Sequence, residues 1–250
     1  MLASILIRVC NATVSGKGRR YPRGWEARTV DPAVVDFALG DACLRAIYQI
    51  RRYSNRLTFE YDILRGDSRV VATELERHEL SVFSPPYPNS FDYTDVYNIE
   101  LWALEYLNSS FANKTLREQT FRNHVQIKRS FEVNKSMSRT LDTTIDNLRQ
   151  VRSYLWDRDI PEMIAAYFDD MRTVLKALRK RLSSGGRVYM VLGDSRYGGV
   201  DVPVARILSE EISALGFEAV GIEPFRSMRA SPQQGGRSEL GENLMTLRAA

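Results

Sequence analysis

Apolar positions along the chain change their period several times, and each change predicts an element. In PAVVDFALGDACLRAIYQIRR, at 32–52, they recur every three or four residues behind an Asp31-Pro32 start, which predicts a helix. LTFEYDIL, at 57–64, alternates as a strand does and runs into GDSR. ELSVF predicts a second strand, which ends in a turn holding three prolines, Pro85, Pro86 and Pro88. DVYNIELWALEYL is amphipathic and helical, with Val96, Ile99, Leu101, Trp102, Leu104 and Leu107 as core candidates. Asp159 is placed to cap PEMIAAYFDDMRTVLKALRKRL, a helix expected to stop at Gly185-Gly186. RVYMVLGDSR is a buried strand, VPVARILSEEISAL a helix stopped at Gly216, and FEAVGIEPF and ENLMTLRA a closing antiparallel pair.

Strands alternating with helices predict an α/β fold whose site lies at the carboxyl ends of the strands. Three of those ends carry polar clusters: GDSR at 66–69, SPPY at 84–87 and GDSR again at 193–196. Asp67 and Asp194 would then flank the proline turn, although each carboxylate taken alone also suits a turn or helix cap. The pattern divides into a basic and helical segment at 1–56, a strand-turn-helix core at 57–108, a polar insertion or lobe at 109–158, and the remaining half of the sheet at 159–250, all within one domain.

A chain of 250 residues, 44% hydrophobic, can bury a sizeable core. No apolar run is long enough for a membrane span, so a cytoplasmic protein is expected. Two cysteines, Cys10 and Cys43, and two histidines, His78 and His124, are scattered without metal-ligand spacing, which argues against a zinc site or a disulfide framework. The net charge of +4 is mild but segregated. Lys17, Arg19, Arg20 and Arg23 cluster without an acid between them, and residues 113–139 hold Arg122, Lys128 and Arg129 among seven basic residues against Glu118 and Glu132. Such clusters suit phosphate contacts to DNA, or form an ordinary solvated face.

The proline turn carries the most specific chemistry. An exocyclic amine on a nucleobase is a poor nucleophile because its lone pair is delocalised, and acceptors aimed at its hydrogens favour the pyramidal geometry needed for attack. Ser84 can supply a hydroxyl oxygen and Pro85 a carbonyl, fixed because Pro86 restricts the residue before it. Tyr87 offers a flat face for an extruded base. The other reading of SPPYP is a rigid loop or a polyproline segment for a partner domain.

SPPY after a hydrophobic strand resembles the target-base motif of the DNA amino-methyltransferases, and its serine resembles the cytosine-N4 branch more than the adenine branch. FSPPYPNSFDYTDVYNIELW, SGKGRRY, ILRGDSR and YFDDMRTVLKALRKRLSSGGRVYMVLGDSRYGG extend the likeness, to bacterial site-specific DNA methylases. The resemblance implies a class I, Rossmann-like methyltransferase sheet with a carboxyl-terminal antiparallel hairpin. It implies S-adenosylmethionine as cofactor, double-stranded DNA as substrate, and Ser84, Pro85, Pro86 and Tyr87 around the target base. Asp67 and Ser68 would contact the cofactor, and Asp194, Ser195 and Tyr93 would lie near the target pocket. The glycine-rich cofactor loop of such enzymes and the acidic residue that binds the ribose are not found, which implies a sheet incomplete on its amino-terminal side and leaves three explanations: a separate subunit completes it, the gene is truncated and inactive, or the first residues form an unusual cofactor pocket. Adenine-N6 methylation and a non-catalytic DNA-binding or truncated subunit stay open as alternatives. Neither cysteine follows a proline, which argues against carbon-5 methylation.

Overall fold

The computed structural model describes residues 14–15, 18–19, 31–229 and 239–250. Its elements in chain order are β1 (Val14–Ser15), β2 (Gly18–Arg19), α1 (Pro32–Arg52), α2 (Ser68–Val71), β3 (His78–Phe83), α3 (Tyr93–Val96), α4 (Asn98–Ala103) and α5 (Ser110–Gln119). They continue with α6 (Arg139–Gln150), α7 (Ile160–Arg181), β4 (Leu182–Gly193), β5 (Ser195–Tyr197), β6 (Val200–Val202), α8 (Val204–Glu211), β7 (Phe217–Arg229) and β8 (Glu239–Ala249). The chain divides into two compact units, one of Met1–Ile63 and Asp92–Glu118, the other of Leu64–Phe91 and Gln119–Ala250. That division cuts through the segments read from the sequence.

In the first unit, α1 begins as its sequence requires: the Asp31 carboxylate accepts from Ala33 N at 2.9 Å and Pro32 fills the first turn. Its apolar residues, Phe37, Leu44 and Ile50 among them, stay exposed. The predicted helix at 95–107 is broken into α3 and α4 at Tyr97. Asp92 caps α3 through Thr94 N and ion-pairs with Arg117 at 2.6 Å. Of the core candidates, Ile99 and Leu107 are buried, while Trp102 and Leu104 are exposed. The strand predicted at 57–64 does not form: these residues are irregular and exposed. Alternation marks a strand only where a neighbouring ladder accepts its backbone groups, and none does so among the described residues.

The second unit is a four-stranded mixed sheet, ordered β3-β4-β8-β7, with helices on one face. β3 and β4 are parallel; β8 is antiparallel to both β4 and β7. Val188, Met190 and Leu192 of β4 and Met245, Leu247 and Ala249 of β8 alternate inward, where α7 supplies Met163, Ile164, Tyr167, Phe168, Met171 and Leu175 at helical spacing. Gly185 and Gly186 lie inside β4, because the chain passes from α7 into the strand without a loop. Asp159 precedes α7 but makes no side-chain cap. Within the segment 109–158, read from the sequence as an insertion or lobe, Phe121, Leu141, Ile145 and Leu148 join the core of this unit. Gly216 ends the turn after α8 at φ +83°, where its carbonyl accepts from Arg179 Nε at 2.8 Å.

Beneath the apolar layer runs a network of buried charge. Asp170 on α7 accepts from Arg69 Nη1, from Arg122 N, and from Arg122 Nε and Nη2, at 2.7–3.0 Å. Asp169 holds Arg122 Nη2 and Arg172 Nη2, and Arg172 continues to Glu211 on α8 at 2.9 Å. Burial pushes the Asp169 carboxyl up, but the hydrogen bonds from Asn134, Arg122 and Arg172 hold it below the ordinary carboxylate value overall.

Candidate functional site

β3 and β4 end side by side, since Phe83 pairs with Met190 in parallel register. The proline turn therefore leaves β3 beside the last residues of β4. Ser84 Oγ lies 3.2 Å from the carbonyl of Val191 and 3.3 Å from Tyr87 Oη. The Tyr87 hydroxyl donates to Glu242 Oε1, and Glu242, fully buried in β8, is bonded in turn by Arg226 of β7. Gly193 and Arg226 are the two cross-strand partners of Glu242, so sheet register alone brings the three into one row. Burial pushes the Glu242 carboxyl up, but Arg226 and Tyr87 pull it below its ordinary value overall.

The rest of the turn is pinned from residues 121–126 and from β5. Asn123 Nδ2 donates to the carbonyls of Tyr87 and Phe91, each at 3.1 Å, and its own carbonyl accepts from Ser90 N. Those bonds hold Ser90 at φ +56°, a left-handed conformation uncommon for a residue with a side chain. Tyr197 Oη donates to Pro88 O at 2.9 Å from a fully buried position, and burial pushes its phenol far above the ordinary value. The result is a turn with Pro85 and Pro88 buried and Ser84 exposed, its geometry set by four separate stretches of chain.

A cavity of about 760 Å³ runs along β3 and the turn, and its lining includes Ser68, Leu75, Phe83, Ser84, Pro85, Phe121 and Met171. Two of the predicted clusters thus meet at one cavity. The first GDSR contributes Ser68, while the Asp67 carboxylate caps α2 through Arg69 N at 2.9 Å and ion-pairs with the Arg69 guanidinium at 2.6 Å. Residues 66–69 follow no strand and close a turn instead. β3 pairs with β4 alone among the described residues, and Leu80 and Val82 on this edge are 55% and 70% exposed.

At the end of β4, Asp194 Oδ1 accepts from Val204 N at 2.8 Å, which anchors the start of α8, and its amide donates to Gly241 O. Burial pushes the Asp194 carboxyl above its ordinary value. Ser195 is fully buried, with no hydrogen-bond partner for its hydroxyl among the described residues. Tyr93 belongs to the first unit, where burial and then Tyr97 push its phenol up.

Of the expected phosphate contacts, two have hydrogen-bond partners within the fold. The Arg122 guanidinium is bonded to Asp169, Asp170 and the carbonyl of Glu132, and Arg129 donates to the carbonyls of Thr120, Phe121 and His124. Both guanidinium groups thereby tie segments of the fold together. Lys128 is exposed. Lys17 and Arg20 lie outside the described residues, and Arg19 is in the short strand β2. Glu242, Arg226, Asn123 and Tyr197 carried no sequence signal, because each acts through a partner far along the chain. Among the described residues no cluster of three or more His, Cys, Asp or Glu could hold a metal ion, and no helix is long and apolar enough to cross a membrane.

No family model matches the chain. It is similar to the Type II methyltransferase M.AvaI of Nostoc sp. (strain PCC 7120 / SAG 25.82 / UTEX 2576) and to that of Anabaena variabilis, each 29% identical over 177 residues that cover 65% of this chain and 36% of the relative. The chain thus matches about a third of the length of those curated relatives. Among solved structures, TTHA0409, a putative DNA modification methylase from Thermus thermophilus, superposes on 74% of this chain and 50% of its own with a TM-score of 0.36 at 17% identity. The same protein complexed with S-adenosyl-L-methionine gives a TM-score of 0.37 at 16% identity over 74% of this chain and 53% of its own. Scores of this size do not bear on the fold, which stands on the sheet itself: α/β, with a mixed sheet and a carboxyl-terminal antiparallel pair.

Proposed function

We propose that the chain is the target-base part of an S-adenosylmethionine-dependent DNA methyltransferase that modifies the exocyclic N4 amine of cytosine. The observation that carries this reading is the Ser84–Tyr87 turn at the end of β3, exposed at Ser84, held by Val191, Asn123, Tyr197 and Glu242, and lining with Ser84, Pro85 and Pro86 a cavity of about 760 Å³ that runs along β3. The similarity to the M.AvaI methyltransferases supports it.

The residues divide the work by chemistry. Ser84 Oγ and the Pro85 carbonyl accept hydrogen bonds from the target amine and favour its pyramidal form, so that its lone pair is available for displacement at a methyl group. Pro86 stiffens the turn, and Tyr87 stacks against the extruded base. The cavity is within the usual range of small-molecule sites, about 300–1,000 Å³. Its apolar walls and the Ser68 hydroxyl fit the flat nucleoside end of S-adenosylmethionine, which when bound supplies an electrophilic methyl group. Among the described residues no backbone loop fits the methionine end. Lys128 and the basic segment containing Lys17, Arg19 and Arg20 serve as phosphate contacts.

The outer edge of β3 supports a further element of the reading. An edge that pairs with no strand among the described residues, with Leu80 and Val82 exposed, is a template for another strand. A methyltransferase subunit encoded nearby adds strands there and contributes the rest of the cofactor site. The test is methyl transfer from labelled S-adenosylmethionine to mixed-sequence duplex DNA, with the chain alone and with that subunit. Ser84→Ala is the control, and the product is digested to nucleosides. N4-methylcytosine that requires Ser84 is the expected product. N6-methyladenine would move the target to adenine, and DNA binding without transfer under both conditions would leave a non-catalytic subunit.

A further inference from the structure

The buried carboxylate behind the proline turn has no part in the chemistry given so far. We infer that Glu242 is a positioning residue, which fixes the direction of the hydrogen bonds through Tyr87 and Ser84 and thereby keeps the Ser84 oxygen an acceptor. This role rests on the methyltransferase reading above.

Glu242 is 155 residues from Tyr87, yet its carboxylate receives the Tyr87 hydroxyl and the Arg226 guanidinium, and its side chain is completely buried. An ionised carboxylate can only accept, and a phenol has one hydrogen. The Tyr87 hydrogen is therefore committed to Glu242, and Tyr87 Oη presents lone pairs to Ser84 Oγ, 3.3 Å away. The single Ser84 hydrogen then goes to Tyr87 Oη or to the carbonyl of Val191 at 3.2 Å. In either orientation the remaining Ser84 lone pairs are open to an incoming N–H.

A neutral group at position 242 removes that constraint. The side-chain amide of a glutamine can donate to Tyr87 Oη, which frees the Tyr87 hydrogen to point at Ser84 and occupy a lone pair needed by the amine. Arg226 stands beside the carboxylate as its counter-charge, which keeps the buried group ionised.

The test is steady-state methyl transfer by the full chain with whatever subunit the wild type requires. Glu242→Gln is expected to lower kcat by about ten- to a hundredfold while KM for DNA and for S-adenosylmethionine changes less than about twofold. In a Tyr87→Phe background the same substitution is expected to cause no further loss, because the hydroxyl it directs is gone. Where Glu242→Gln loses its near-ultraviolet circular dichroism, Glu242→Asp and its Tyr87→Phe double variant complete the same cycle. Equal losses in both backgrounds, or a rise in KM alone, would overturn the positioning role. Transfer that Glu242→Gln leaves intact overturns that role alone, whereas no transfer by the wild type overturns the methyltransferase reading and this role with it.

Discussion

Arg122 lies in a strongly basic segment and reads as a phosphate contact, yet its guanidinium is turned inward, and Arg122→Gln separates the two roles. The wild-type side chain donates Nε to Asp170 at 3.0 Å, Nη1 to Glu132 O at 2.7 Å, and Nη2 to Asp169 at 2.8 Å and Asp170 at 2.7 Å. Removing one partner of a buried ion pair costs about 3–5 kcal/mol, because the charge left behind is poorly solvated. Here the lower end applies. Asp170 keeps Arg69 and the backbone amide of residue 122, and Asp169 keeps Arg172 and Asn134, so neither carboxylate is stranded. A loss of about 3 kcal/mol, with a urea slope of roughly 2–3 kcal/mol/M, lowers the unfolding midpoint by about 1–1.5 M. The assay is urea unfolding followed by circular dichroism, paired with DNA binding across a salt series. Each phosphate contact contributes about 0.9 to the slope of log affinity against log salt. The expected result is a large fall in midpoint and an unchanged salt slope. An unchanged midpoint with a slope reduced by about one would show that Arg122 faces phosphate and that the internal network is not what holds this region.

Three more outcomes follow from the same geometry. Asp67 and Asp169 are held below the ordinary carboxylate value overall, burial pushing each up while hydrogen bonds, including those of Arg69 to Asp67 and of Asn134 and Arg122 to Asp169, pull it down. Their contribution to stability is therefore full above about pH 4 and lost as pH falls through the lower folded values. An acid titration of the urea midpoint should show the fall beginning near pH 4, and Arg122→Gln should flatten it. Gly216→Ala forces a side chain into φ +83° and against Arg179 atoms 3.1–3.4 Å away, at a cost of about 1–2 kcal/mol. A thermal melt should drop by roughly 2–8 °C, and an unchanged melting temperature would refute the conformational argument. Asp194→Asn keeps an acceptor for Val204 N and removes a carboxyl whose ionisation burial opposes, so its melt should match or exceed the wild type, while Asp194→Ala should lose about 1–2 kcal/mol.

Local chemistry is enough to read much of the chain. Asp31-Pro32 starts α1 because cap and proline act within one turn, and the apolar spacing of 160–181 marks α7 because one helix face meets the core. The antiparallel pairing of β7 with β8 is legible for the same reason, two apolar runs separated by a glycine- and arginine-rich stretch of sequence. The alternating run at 57–64 misleads because a strand exists only where another strand accepts its ladder, which no local pattern reveals. Within the segment 109–158 the polar surface pattern hides other contacts: Arg122 is bonded to Asp169 and Asp170, Arg129 to backbone carbonyls, while Leu141, Ile145 and Leu148 turn into the core.

The sequence by itself determined the α/β class, the carboxyl-terminal hairpin and the proline turn at the end of a strand, because those depend on hydrophobic period and on backbone restrictions that act over a few residues. Only the tertiary structure decided what surrounds that turn. Parallel register sets Ser84 against Val191, the β8 ladder brings Glu242 and Arg226 to Tyr87, and Asn123 and Tyr197 reach the turn from 36 and 109 residues away. Contacts of that separation arise from strand pairing and packing, so they are set by the whole fold and leave no mark on the residues nearby.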